Sequence, residues 1–82
     1  MQTSLADVER AIYEAEMIRS RHDGVHVLSS YLQVLQFCRY SLIAGIWSQD
    51  DAARFHRTMA KLRCVERSGF PPTRISELEL VA

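Results

Sequence analysis

What this chain lacks narrows its possible functions first. It has no surplus charge: ten Lys and Arg face ten Asp and Glu, for a formal net charge of zero at pH 7. Non-specific attraction to a polyanion depends on positive charge, so that route to nucleic acid is weakened from the start. Cysteine is scarce, with only Cys38 and Cys64, too few for the disulfide framework of a small secreted domain. Three glycines and two prolines leave no low-complexity run, no glycine-rich phosphate cradle and no linker that would divide domains. Lysine occurs once, at Lys61, against nine arginines, a bias that points to a GC-rich bacterial or phage genome. The first 20 residues hold Asp7, Glu9, Glu14 and Glu16 and no apolar core segment, so a secretory signal is not expected. The expected location is cytoplasmic.

Apolar residue is plentiful, at 48% of the chain. This is a folding composition, and 82 residues suit one domain, 1–82. The richest stretch is 25–47, where only Arg39 is charged. At 100° per residue Leu28, Tyr31, Leu32, Leu35, Cys38, Leu42 and Ile46 share one stripe, widened by Val27, Val34 and Ala44. A stripe of about half the circumference exceeds the ~100° that a one-sided helix needs, so this helix is expected to touch two neighbours. Ser29, Ser30, Gln33, Gln36, Arg39 and Ser41 interrupt it, whereas a membrane span needs about 20 mostly apolar residues. No membrane association is expected. Arg39 falls within the apolar stripe, and Glu9, Glu14 or Glu16 are its natural partners.

The flanking segments read as two further helices. Leu5, Val8, Ala11, Ile12, Ala15 and Ile18 follow helical spacing over about 4–20, with Thr3 or Ser4 as the cap and Asp7 in the first turn. Arg21-His22-Asp23-Gly24 is the break; Asp23 is a candidate cap for the second helix and Gly24 a candidate for positive φ. Ser48 followed by Asp51 resembles a capping box and starts a third helix over about 49–67. Its inner face is Ala52, Phe55, Met59, Leu62 and then Val65 or Glu66. Arg67-Ser68-Gly69 reads as the stop, with Gly69 left-handed and Phe70 folding back on the last turn. Pro71-Pro72 then forces an extended tail, and Ile75–Val81 fits either a helical turn or an edge strand. The expected fold is all-α: a three-helix domain (about 4–20, 25–46, 49–67) with an extended Pro-Pro C-terminal tail.

Few residues invite chemistry. His22 and His26 are spaced i, i+4 but lack further ligands and straddle Gly24, and His56 reads as an exposed helix histidine. Cys38 reads as a small core residue; Cys64, among Lys61, Arg63 and Arg67, has no base beside it. No nucleophile–base pair or carboxylate pair sits in a recognisable site. No enzyme activity, cofactor or metal is therefore expected.

The remaining signals concern contact. Phe37, Tyr40 and Trp47 lie on the otherwise polar side of the central helix, and three aromatics there suggest a partner patch. Charge is uneven: residues 1–51 hold four Arg against seven acids, a net of −3; residues 52–74 hold six basic residues against Glu66, a net of +5; Glu77 and Glu79 make the tail −2. Arg57, Lys61 and Arg63 would select an acidic partner. The expectation is a small intracellular regulator, inhibitor or adaptor that works by occluding a larger protein, as a homodimer. The alternative is a dimeric DNA-binding regulator using the basic third helix. Against it stand the six turns expected of the helix before the basic one, and Asp50 and Asp51 at the supposed recognition end.

Overall fold

A computed structural model of the chain describes residues 3–71. Three α-helices follow one another: α1 Leu5–Arg21, α2 Leu28–Ile43 and α3 Gln49–Ser68. The all-α, three-helix reading holds, and no strand occurs among the described residues. Residue 72 onward lies outside them, so the second proline and the choice of turn or strand over Ile75–Val81 do too.

Short connections place α2 between its neighbours. It packs most extensively on α1 and next on α3, while α1 and α3 touch each other least. That arrangement explains the width of the apolar stripe of α2. Leu28, Tyr31, Leu32, Leu35 and Cys38 are buried from α2, Val8, Ala11, Ala15 and Ile18 from α1, and Phe55, Leu62 and Val65 from α3. Ile12, Val25, Val27, Val34, Leu42, Trp47 and Met59 pack against this cluster while partly buried. At the α3 ambiguity Val65 is the inward residue; Glu66 is exposed and meets Arg21 at 3.6 Å, joining the far ends of α1 and α3.

The ends of α1 and α3 follow local chemistry. Ser4 caps α1: its Oγ accepts from the Asp7 N–H at 3.2 Å and the Asp7 carboxylate accepts from the Ser4 N–H at 3.0 Å. Ser48 and Asp51 repeat this reciprocal box on α3, at 3.3 and 3.0 Å. Each satisfies two of the four donors that a helix start leaves unpaired. Gly69 ends α3 at φ 79°, its N–H donating to the Val65 carbonyl at 2.7 Å.

The ends of α2 differ from expectation. Helix runs over 28–43 and not 25–46. Asp23 is no cap: Val27 occupies the cap position without a side-chain hydrogen bond. Backbone turns bridge the gap instead, with the Val25 N–H on the His22 carbonyl at 2.9 Å and the Leu28 N–H on that of Val25 at 3.2 Å. Gly24 does not take positive φ; Gly45 does, at 72°. Around Gly45 the Ile46 N–H reaches the Ser41 carbonyl at 3.0 Å and the Gly45 N–H that of Leu42 at 3.2 Å. These two bonds form a Schellman termination. They end the helix three residues before the apolar pattern does.

Candidate functional site

The exposed side of α2 and the turn after it carry four large apolar side chains. Phe37 is 50% exposed, Tyr40 61%, Ile43 58% and Ile46, just past the helix, 59%. The first three are spaced i, i+3, i+6, so they wind slowly round the outer surface. The Phe37 and Tyr40 rings are 6.5 Å apart, centre to centre, and tilted by 40°. Arg54 reaches across from α3, its guanidinium carbon 5.9 Å from the Phe37 ring centre, within cation–π range. The carboxylate of Asp51 holds Arg54 from the other side at 3.6 Å. Beside Phe37 a hollow of about 400 Å³ opens between α2 and α3, lined by Ser30, Gln33, Val34, Phe37 and Arg54.

The six residues picked from the sequence are not gathered into one site. Phe37 and Tyr40 stand together as expected. Trp47 is half-buried and packs against the core from the α2–α3 connection. Lys61 is also half-buried, with Nζ 5.8 Å from the centre of the Tyr31 ring, so its charge ties α3 to α2. Arg63 lines a groove between α1 and α3, and Arg57 is exposed elsewhere on α3. Arg57 and Arg63, six positions apart, lie about 120° apart round the helix. Conversely Ile43, Ile46 and Arg54 complete the α2 surface although the sequence did not single them out. Ile46 belonged to the apolar stripe only while the helix was assumed to continue through Gly45.

Two further surfaces carry charge. The α1–α3 groove, of about 370 Å³, has Ala11, Phe55 and Met59 beside Asp7, Arg10, Glu14, His56 and Arg63. Its charges are mixed and define no ligand sign. On the other flank, Glu9, Ile12, Gln36 and Arg39 line a hollow between α1 and α2. Arg39 is exposed there, and none of Glu9, Glu14 or Glu16 forms an ion pair with it within 4.0 Å.

The groups that might do chemistry are sequestered or scattered. Burial, reinforced by Asp51 and opposed by Arg54, pushes the Cys38 thiol above its ordinary value. Burial also raises the Tyr31 phenol, with a smaller contribution from Cys64. The backbone and side-chain hydrogen bonds with Ser4, and more weakly Arg10, hold the Asp7 carboxyl below the usual range. His22 ends α1 and His26 lies in the following turn, so their spacing does not make a helical ligand pair. Among the described residues no group of three or more His, Cys, Asp or Glu is placed to hold a metal ion, and no helix is long and apolar enough to cross a membrane.

Comparison of the chain with protein-family models, with curated proteins and with solved structures finds no match.

Proposed function

We propose that this protein is a small cytoplasmic regulator, inhibitor or adaptor that binds another protein through the outer surface of α2, and that in the absence of that partner the same surface pairs two copies as a homodimer. The carrying observation is the run of Phe37, Tyr40, Ile43 and Ile46, each half-exposed or more. Aromatic side chains bury roughly 150–250 Å² each. With the two isoleucines, the exposed part of the run is on the order of 400 Å², at the scale of a functional surface patch. A standard interface takes about 800 Å² per partner. The run therefore suits the apolar centre of an interface, with Gln33, Gln36, Arg39 and Arg54 as its polar rim. Occlusion follows from this shape: a convex helical face covers a partner's surface without enclosing a ligand.

Light scattering over a range of concentrations tests the dimer. Wild type should approach twice 9.4 kDa as concentration rises, and Tyr40→Ala/Ile43→Ala should stay monomeric with unchanged helicity. A wild-type monomer at every concentration removes the dimer from the proposal. For the wider reading, a photo-crosslinking residue at position 40 should give discrete protein adducts in cells, and the same residue at exposed Arg57 should give fewer. Equal patterns at both positions would overturn α2 as the contact. The DNA-binding alternative predicts duplex binding that falls steeply with salt; binding without salt dependence, or none, removes it.

A further inference from the structure

The outer surface of α2 is edged by opposite charges. On one edge Arg54 and Lys61 of α3 stand over Phe37 and Tyr31 of α2, at 5.9 and 5.8 Å from the ring centres. These two contacts fix the register: α3 runs antiparallel to α2, and Asp50, one turn before Arg54, falls level with Ser41. Arg21 at the end of α1 meets Glu66 near the end of α3, so α1 also runs against α2. On this second edge Glu9 and Ile12 of α1 share a hollow with Gln36 and Arg39 of α2. Glu16, two turns after Glu9 on the same side of α1, falls level with Leu32. Glu9, Glu16, Arg39 and Asp50 are exposed and form no ion pair among the described residues. Between the edges, Arg39 is the single charge that α2 carries.

Two copies joined through one shared surface are related by a twofold axis. Two arrangements bring the run of Phe37, Tyr40 and Ile43 onto itself. With the α2 helices antiparallel and crossing near Ser41, α1 faces α1 of the second copy and α3 faces α3. Glu9 then opposes Glu9, and Asp50 opposes Asp50. With the α2 helices parallel, the α1 edge of each copy faces the α3 edge of the other at the same level. Glu9 then meets Arg54, Glu16 meets Lys61 and Arg39 meets Asp50, each pair occurring twice by symmetry. Arg19, one turn past Glu16, meets no acid in this arrangement and lies toward the end of α2 away from the apolar run.

We propose that the second copy docks with the two α2 helices parallel, α1 of each copy lying against α3 of the other. This rests on the reading of the α2 surface as a homodimer interface and adds its direction. Charge selects that direction, because acid meets base along both edges where the antiparallel pairing sets like against like. The zero net charge of the chain leaves no overall repulsion between copies to overcome. Gln33 and Tyr40, seven residues apart on the outermost line of α2, then lie near the twofold axis, and each faces its own counterpart.

Two measurements on the full chain test the direction separately from dimerisation. Gln33→Cys should form a disulfide-linked dimer under mild oxidation, at a concentration where light scattering shows it dimeric. Wild type should not link, because Cys38 and Cys64 are buried. Glu9→Arg and Arg54→Glu should each weaken dimerisation about tenfold at low salt, with helicity unchanged by circular dichroism. An equimolar mixture of these two variants should restore it, since each altered residue then meets its opposite on the other chain. In the antiparallel arrangement neither single change weakens the dimer, and the mixture associates more tightly than wild type. That pattern, or a dimeric Gln33→Cys variant that does not link, overturns the parallel pairing and leaves the homodimer standing. A wild-type monomer at every concentration overturns both.

Discussion

Ser41 sits fully buried in α2, and among the described residues its Oγ has no hydrogen-bond partner. A hydroxyl desolvated without a partner costs about 1–3 kcal/mol. Ser41→Ala should therefore stabilise the fold by roughly 1 kcal/mol, seen as a higher urea midpoint at unchanged slope; a lower midpoint would mean the hydroxyl is satisfied. Thr58 is equally buried but donates to the Arg54 carbonyl at 2.8 Å, so Thr58→Val has no comparable gain to make. Asp51 is buried as well, yet it accepts from both the N–H and the Oγ of Ser48. Ser48→Ala should cost about 1 kcal/mol and lower the thermal midpoint by roughly 4–8 °C, measured by circular dichroism.

Two titrations follow at the same scale. Tyr31 is raised by burial, so the folded state holds its proton more tightly than the unfolded chain does. Stability is then intact below pH 10 and falls as pH rises past that ordinary phenol value toward the folded one. Asp7 is depressed, so its contribution is present above pH ~4 and is lost as pH falls through its folded value. Tyr31→Phe should flatten the alkaline loss in pH-dependent urea unfolding, and Asp7→Asn the acid one.

Among the elements, α2 faces both neighbours, and its substitutions should separate into two classes. Leu35 is fully buried, and Leu35→Ala should cost 2–5 kcal/mol, a large share of the 5–15 kcal/mol that a small domain has. Tyr40→Ala and Ile43→Ala should leave helicity nearly unchanged and lower the thermal midpoint only as far as the dimer is populated. Trp47→Ala should lower the midpoint, because Trp47 packs on the core.

What was legible from sequence divides along the same line. Ser4, Ser48 and Gly69 announce helix ends because capping is settled within four residues of chain. The limits of α2 were harder to read. Val25 and Val27 continue the apolar pattern although they belong to the turn, and Gly45 terminates the helix while Ile46 keeps the periodicity. The aromatic pair was legible from its place on the polar side of the wheel. Ile43 and Ile46 were not, because their exposure depends on where α2 stops. Nor could spacing along α3 show that Lys61 turns to Tyr31 and Arg63 to α1; that depends on which neighbour lies on each side. Phe70 illustrates the difference within one residue. Its backbone returns to the last turn of α3 as the Gly69 signal implies, yet its side chain is 72% exposed.

At the scale of the whole molecule, α1 and α3 carry reciprocal caps and charged outer faces, while α2 has neither. Its side chains carry little information for starting a helix, and isolated helices of this length are marginal in water in any case. The order of assembly follows. The outer segments can sample helix early from local signals, whereas the middle one gains its turns only by condensing onto them. A partly built intermediate of α1 with α2 would leave the α3 side of Leu35 and Cys38 open to water, so folding should be all-or-none. Amide exchange would then show the slowest protons of all three helices sharing one opening free energy, with the least autonomous segment as protected as the two that surround it.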